Sequence, residues 1–146
     1  MRRRQFLGTT AAGLALGPHA ATAQESFDVT RTEQEWKARL SDLEYKVMRK
    51  EGTEPAYSSP LHDLKTKGTY RCRGCEQALY SSEHKFDSGT GWPSFYKPIS
   101  EDAVATKRDW KLIIPRTEVH CARCGSHLGH IFDDGPPPTG KRHCIN

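Results

Sequence analysis

The chain has 146 residues, of which 35% are hydrophobic and 27% are charged, a size and composition typical of one soluble domain. Its 22 basic residues outnumber 18 acidic ones, but three of them are Arg2, Arg3 and Arg4 at the amino end. Without these three arginines the charges nearly cancel. The remaining chain lacks the basic surface of nucleic-acid and anionic-membrane binders, so we expect no nucleic-acid partner.

Residues 1–23 have the three parts of a secretory signal peptide: a basic head, an apolar stretch and small residues for cleavage. The apolar stretch, 6–17, is about half the ~20 residues that a transmembrane helix requires, so no stable membrane anchor is expected. Arg3-Arg-Gln-Phe-Leu7 resembles the twin-arginine signal for export of folded proteins, and a general-secretion signal is the alternative. Both predict a periplasmic protein.

Residues 24–31 show no periodicity and are interpreted as a linker to the domain at 32–146. Thr32 and Glu35 have the spacing of a capping box, and apolar residues then recur at helical spacing until Gly52. We therefore predict one amphipathic helix packed on the core. The recurring apolar residues are Trp36, Leu40, Leu43 and Val47.

After Gly52, glycine, proline, serine and aspartate separate short segments that are typical of strands. This pattern predicts a mainly β domain. The predicted strand segments are 69–72, 77–80, 110–114 and 118–120.

Four of the five cysteines form two C-x-x-C pairs, Cys72 with Cys75 and Cys121 with Cys124. Two such turns can place four thiolates about 2.3 Å from one tetrahedral zinc ion. Gly74 and Gly125 would relieve the two turns, which favours one structural zinc per chain. Two disulfides are the alternative, since an exported protein meets an oxidising compartment.

The fifth cysteine, Cys144, lies beside Arg142, whose charge favours the reactive thiolate. A buried, inert cysteine is the alternative interpretation. His127 and His130 offer imidazoles that can carry protons near neutral pH, although isolated histidines are more often surface or zinc-adjacent residues. Trp92, in an aromatic cluster, is either core filler or the wall of a pocket for an apolar or sulfur-bearing group.

Five motifs occur in order along the chain: Arg71-Cys-Arg-Gly-Cys75, Lys85-Phe-Asp-Ser-Gly-Thr-Gly-Trp-Pro-Ser-Phe95, Arg116-Thr-Glu-Val-His-Cys-Ala-Arg-Cys124, His127-Leu-Gly-His-Ile-Phe-Asp-Asp-Gly-Pro136 and Arg142-His-Cys-Ile-Asn146. From Thr32 to the last residue, the chain closely resembles the B-type peptide methionine-R-sulfoxide reductases. The resemblance implies a mainly β fold of two antiparallel sheets with helical structure at the amino-terminal side.

The resemblance also implies a mechanism. Cys144 attacks the sulfoxide sulfur while His130 or His127 protonates the departing oxygen, leaving methionine and a cysteine sulfenic acid. Asn146 orients a catalytic group and Arg142 is the nearby cation. The implied substrate-binding residues are Trp92 and Phe95, and the implied zinc ligands are Cys72, Cys75, Cys121 and Cys124.

Two features depart from the family pattern. Many members have a resolving cysteine where this chain has Thr90, so we predict that an external thiol or thioredoxin-like protein reduces Cys144 directly. Relatives also continue into a further strand, whereas this sequence stops at Asn146, which predicts a fragment or a domain without its last strand. A monomer acting on oxidised proteins or peptides is expected. The alternatives are a non-catalytic zinc-knuckle binding module and a domain that has lost activity.

Overall fold

The computed structural model describes residues 26–146, so the predicted signal peptide lies outside the described residues. The described chain begins with two short helices, α1 at Glu33–Arg39 and α2 at Asp42–Lys50. Among the described residues, no helix combines the length and the apolar character needed to cross a bilayer.

The prediction of one continuous helix is wrong, because Ser41 starts a second helix. The Ser41 hydroxyl accepts a hydrogen bond from the Glu44 N–H at 3.2 Å, and the Glu44 carboxylate accepts one from the Ser41 N–H at 2.8 Å. This second capping box satisfies amide groups at the start of α2, so the chain turns at Leu40 although the apolar spacing runs through it. Trp36, Leu40 and Val47 lie in the core as expected, but Leu43 is 46% exposed and does not.

Replacement of Ser41 by alanine is expected to lower the free energy of unfolding by about 1 kcal/mol, because the α2 amide loses its side-chain acceptor. Urea denaturation followed by circular dichroism measures this change. Ser41→Asp supplies another acceptor and is expected to stay close to wild type. Equal destabilisation by both variants would contradict a capping role.

Most of the domain consists of two antiparallel sheets, as predicted. A two-stranded sheet pairs β1 with β2, and a six-stranded sheet has the order β3-β4-β8-β7-β6-β5. Single 3-10 turns precede β3 and β5, at Ser82–His84 and Glu101–Ala103. The strands are β1 (Thr69–Arg71), β2 (Ala78–Ser81), β3 (Lys85–Phe86), β4 (Ser94–Phe95), β5 (Val104–Asp109), β6 (Arg116–Cys121), β7 (His127–Phe132) and β8 (Arg142–Ile145).

Three of the four predicted strand segments lie on strands, but the segment at 110–114 does not. It forms the connection between β5 and β6, and Ile113 within it is 103% exposed. Its apolar, β-branched residues favour a strand locally. The Asp109 carboxylate, however, accepts a hydrogen bond from the Lys111 N–H at 2.9 Å, which begins a turn at the end of β5.

One hydrophobic core joins the helices to both sheets. Phe95 of β4 and Tyr80 of β2 are both buried and stack with their ring centroids 4.5 Å apart. Trp36 of α1 and Val47 of α2 belong to the same core. This packing fixes β4 and β8, which pair directly, against the smaller sheet.

Residues 26–31, within the segment interpreted as a linker, pack against the segments that contain both cysteine pairs. The Phe27 ring meets the His120 ring edge-on at 5.9 Å, and the Val29 N–H donates to the Arg123 carbonyl at 3.0 Å. The Arg31 guanidinium donates to the Gly74 carbonyl at 3.1 Å and lies 4.8 Å from the centre of the Trp36 ring. These contacts connect sites distant in sequence, which is why a search for periodicity does not detect them.

Candidate active site and metal centre

The four cysteines of the C-x-x-C pairs are brought together in the core. Their sulfur atoms all lie within 4.8 Å of one another, and all four side chains are buried. Two of the Sγ–Sγ distances are 3.6 Å, from Cys72 to Cys124, and 3.5 Å, from Cys75 to Cys121. Sulfurs bound tetrahedrally at about 2.3 Å from a zinc ion are about 3.8 Å apart. The cluster therefore fits a metal ion, and its cysteines are not joined as disulfides.

The two cysteine turns are built alike. In each, the first cysteine's carbonyl accepts from the N–H four residues on, at 2.8 Å from Glu76 and 2.9 Å from Gly125. Those two residues have positive φ, 62° and 67°. The expectation that Gly74 relieves its turn is therefore wrong, because Glu76 takes the left-handed conformation there. Gly74 is small for packing instead: a Cβ would lie 3.0 Å from the Trp36 ring.

Cys144 lies apart from the cluster, on the inner strand β8 of the large sheet. Its register partners are Ser94 on β4 and His130 on β7. Burial raises the pKa of the Cys144 thiol above its usual value, while the Arg142 charge and hydrogen bonds from Thr90 and Arg142 lower it. The expectation that Arg142 favours the thiolate has the right direction, but burial outweighs it. The protonated thiol is therefore the favoured form of Cys144.

Arg142 is held beside Cys144 by Asp134, a residue that sequence reasoning did not single out. Its Nε and Nη2 atoms donate to the two Asp134 carboxylate oxygens at 2.9 and 3.0 Å. The guanidinium also lies 4.4 Å from the centre of the Phe132 ring. The bidentate pairing fixes the direction of the cation.

His130 is bound to a carboxylate that was also missed, Asp109 at the end of β5. The His130 Nε2 and Asp109 Oδ2 atoms are 2.7 Å apart, and Arg116 donates to the same oxygen at 2.7 Å. Hydrogen bonds lower the pKa of Asp109 despite its burial; the one from the Lys111 N–H has the largest effect, and those from His130 and Arg116 add to it. Asp109 is therefore a carboxylate that accepts the Nε2 proton, which leaves Nδ1 as the ring nitrogen able to accept a proton.

Burial lowers the pKa of His130 below its usual value, although Asp109 opposes that shift. Burial thus favours the neutral imidazole of His130. A neutral imidazole can take the Cys144 proton and return it to a substrate oxygen.

His127 is deeper in the protein than His130. Its ring centre is 5.5 Å from that of His130, and its Nδ1 atom is 3.0 Å from a carboxylate oxygen of Glu118. Burial raises the pKa of Glu118, but hydrogen bonds from His127 and Lys107 outweigh it and lower the value overall. His127 does not line the cavity that contains Cys144. His127 therefore packs against the His130 ring from inside the protein and supports its position.

Trp92 and Asn146 both hold the backbone of Glu54, a further residue that the sequence did not indicate. The Trp92 indole N–H donates to the Glu54 carbonyl at 3.0 Å, and the Glu54 N–H donates to the Asn146 side-chain oxygen at 2.9 Å. The Asn146 side-chain amide also donates to the Leu128 carbonyl at 2.9 Å. Asn146 therefore positions the pocket wall by joining β7 to the Glu54 loop.

Cys144 opens into a cavity of about 140 Å³ that includes Trp92 and His130. A larger cavity, of about 460 Å³, contains Phe95 but neither Cys144 nor Trp92, so we assign the site to the smaller one. Phe95 is fully buried and does not line the Cys144 cavity, which places it in the core rather than on the wall implied by the resemblance. The smaller cavity is lined by Thr53, Trp92, Arg116, Gly129, His130, Phe132, Cys144, Ile145 and Asn146.

Three hydroxyl groups form a chain that ends at Cys144. The Ser94 and Ser88 oxygens are 2.7 Å apart, and the Ser88 and Thr90 oxygens are 2.8 Å apart. Thr90 in turn hydrogen-bonds to Cys144 and lowers its pKa. Thr90 is thus in contact with the Cys144 sulfur.

Replacement of Thr90 by valine is expected to raise the pKa of Cys144 further, because burial remains while a hydrogen bond to the thiolate is lost. Reactions that require the Cys144 thiolate should shift to higher pH, and their rate near neutral pH should fall by up to about tenfold. Ultraviolet absorbance of the thiolate against pH measures the shift. Thr90→Ser keeps the hydroxyl and is the control. An unchanged titration in the valine variant would contradict this role.

A mainly β fold, a cavity that contains a cysteine and a histidine, and a separate four-cysteine cluster that can hold a metal ion are typical of a thiol-dependent oxidoreductase. The chain matches the SelR domain over residues 40–146, so it belongs to the SelR family. A peptide methionine sulfoxide reductase MsrB of Methanosarcina barkeri is 55% identical over 118 residues, which cover 81% of this chain and 83% of the relative.

Two further relatives come from distant organisms. An MsrB of Thiobacillus denitrificans is 50% identical over 121 residues, covering 83% of this chain and 92% of that protein. The chloroplastic peptide methionine sulfoxide reductase B1 of Arabidopsis thaliana is 50% identical over 125 residues, covering 85% of this chain and 61% of the relative. These relatives do not favour the non-catalytic binding module considered above.

Proposed function

We propose that this chain is a peptide methionine sulfoxide reductase that acts on the R epimer. The observation that carries the proposal is the position of Cys144: outside the metal cluster, in one cavity with Trp92 and His130. A nucleophilic sulfur, a proton carrier and an apolar wall are the groups that sulfoxide reduction requires. The names of two of its relatives describe peptide methionine sulfoxide reduction.

In the first step, neutral His130 accepts the Cys144 proton and the thiolate attacks the sulfoxide sulfur. The proton goes to the sulfoxide oxygen, and the resulting hydroxyl moves from the methionine sulfur to the Cys144 sulfur. The S–O bond to methionine and the transient S–S bond break, which leaves Cys144 as a sulfenic acid. Methionine sulfoxide is reduced by two electrons and Cys144 is oxidised by two. Arg142 stabilises the thiolate, and Asp109 holds the imidazole in the required tautomer.

The second step restores the thiol. The Cys144 sulfenic acid reacts with one external thiol to give a mixed disulfide and water. A second external thiol then attacks the reductant sulfur of this disulfide, which releases the Cys144 thiol and joins the two reductant sulfurs in a disulfide. Thr90 cannot form an internal disulfide, and the other four cysteines form the metal cluster. We propose a thioredoxin-like dithiol as the physiological partner.

Trp92 supplies the stereochemical choice in this proposal. Its indole N–H is fixed by the Glu54 carbonyl at 3.0 Å, so the ring presents one constant apolar surface to the cavity. The methyl group of the substrate packs on that surface. The oxygen must then face His130, which only one sulfur configuration allows.

The test is turnover of the separate R and S epimers of a methionine-sulfoxide peptide, with dithiothreitol as reductant and chromatographic detection of methionine. We expect reduction of the R epimer only. Trp92→Phe keeps an aromatic surface but loses the fixing hydrogen bond, so it should lower the R-to-S ratio. Failure of the wild type to reduce either epimer would overturn the proposal.

We also propose that the metal is zinc in a structural role. Four buried thiolates are the donor set that zinc prefers, and the cluster lies apart from the Cys144 cavity.

We further propose that the protein is exported to the periplasm by the twin-arginine pathway. Cell fractionation of wild type and an Arg3→Lys/Arg4→Lys variant tests the export. Unchanged export of the variant favours the general-secretion alternative, and cytoplasmic wild type contradicts export.

A further inference from the structure

The connection between β5 and β6 exposes an unusual amount of apolar surface. We call residues 110–114 the hairpin tip. Trp110 is 70% exposed, Leu112 57%, Ile113 103% and Ile114 77%. Single exposed apolar residues are common, but four within five residues form a patch of the kind that marks an interaction surface.

The base of the hairpin is held in place. Asp109 and Arg116 are register partners and form an ion pair at 2.7 Å, and Asp109 also accepts the Lys111 N–H. The Lys111 ammonium pairs with Glu51 at the end of α2. The tip therefore has a defined position relative to the domain.

The base of the hairpin borders the cavity that contains Cys144. Asp109 binds His130, and Arg116 lines the cavity together with Cys144. Ile113 is three residues from Arg116, so it lies within about 10 Å along the chain. A polypeptide whose methionine sulfoxide occupies the cavity can reach the tip with residues about three positions away.

The charges of the hairpin favour an apolar rather than an anionic partner. Among the described residues, Lys107, Lys111 and Arg116 are each paired with carboxylates of this chain. Arg108 lies 5.7 Å from the centre of the Trp110 ring. Most of the positive charge is neutralised within the domain, so the patch attracts chiefly by burial of apolar area.

We propose that the hairpin tip is a docking surface for unfolded polypeptide substrates, binding apolar residues that flank the methionine sulfoxide. This inference rests on the proposed function and adds a substrate class to it. Methionine is mostly buried in apolar surroundings, and its oxidation disrupts such cores. Oxidised segments therefore expose apolar neighbours together with the sulfoxide. The cavity, of about 140 Å³, has room for the side chain but not for those neighbours.

Steady-state kinetics with three substrates test the docking: N-acetylmethionine-R-sulfoxide, a peptide with leucine three residues on each side of the sulfoxide, and the same peptide with serine there. Leu112→Ser/Ile113→Ser removes apolar area from an exposed loop, and Leu43→Ser on an exposed site of α2 is the matched control. For the leucine peptide we expect about a tenfold lower kcat/KM in the double variant, largely through KM. The other two substrates should change by less than about twofold.

Binding separates this inference from the proposed function. Anisotropy of a labelled leucine peptide is compared for Cys144→Ser and for Cys144→Ser with the two hairpin substitutions, and the second is expected to bind about tenfold more weakly. Equal binding would overturn the docking surface even if the enzyme is active. Lack of turnover with all substrates would overturn the proposed function, while the binding result still decides the docking. Two other results would overturn the proposal if peptide binding is unchanged in the double variant. Binding to anionic vesicles would assign the patch to a membrane. Dimerisation that the double variant loses would assign it to a second copy of the chain.

Discussion

Replacement of Cys144 by serine is expected to lower kcat/KM for methionine-R-sulfoxide by about a thousandfold or more, because an alkoxide is far harder to form than a thiolate and cannot take the oxygen as a sulfenic acid. The measurement is methionine formation with dithiothreitol. The substitution is nearly isosteric, and Cys144 contributes no sulfur to the metal cluster. The variant should therefore keep the melting temperature and metal content of the wild type.

Two comparisons make this result specific. Mass spectrometry of wild type treated with substrate without reductant should find one added oxygen on Cys144. His130→Gln removes the proton carrier but leaves the thiol, so it should retain the oxidisable sulfur and lose about a hundredfold in rate. Substantial activity in Cys144→Ser, or oxidation of a different cysteine during turnover, would contradict the assignment.

Loss of the metal is expected to have the largest effect on stability. Cys72 directly follows β1 and Cys121 ends β6, so the cluster joins these two strands although 45 residues separate Cys75 from Cys121. Binding of a structural metal contributes directly to folding, so Cys121→Ser should lower the free energy of unfolding by about 4 kcal/mol or more. We expect about one zinc ion per chain in the wild type by elemental analysis.

The matched control for the metal is Cys144→Ser, which removes a thiol outside the cluster and should keep both metal and stability. A strong chelator should lower the melting temperature of the wild type and of Cys144→Ser equally. A metal-free wild type with two disulfides and unchanged stability in chelator would contradict the metal site.

The four-cysteine cluster could be predicted from sequence because its signal is local. Two residues between paired cysteines already specify a turn, and Cys144 then stands apart from both pairs. Asp109 and Glu54 gave no such signal. Asp109 reaches His130 only through the pairing of β5, β6 and β7, and Glu54 acts through its backbone, which any residue type provides.

The two errors in the predicted secondary structure also have local causes. Apolar spacing continues through Leu40, and the competing signal at Ser41 is a second capping box within a helical pattern. At 110–114 an apolar run looks like a strand, but it is a loop whose residues face solvent. A pattern of apolar residues shows where burial is favourable and does not show whether this chain or another molecule provides it.

Asp109 is shared by the hairpin amide of Lys111, the guanidinium of Arg116 and the imidazole of His130. Any ligand that rearranges the loop changes the geometry of this carboxylate and with it the proton affinity of the ring. Thermodynamic linkage makes the relation reciprocal, so protonation of the ring changes the affinity of the loop for that ligand by the same factor. Ligand binding at the outer loop and protonation of the His130 ring are thus two thermodynamically coupled equilibria.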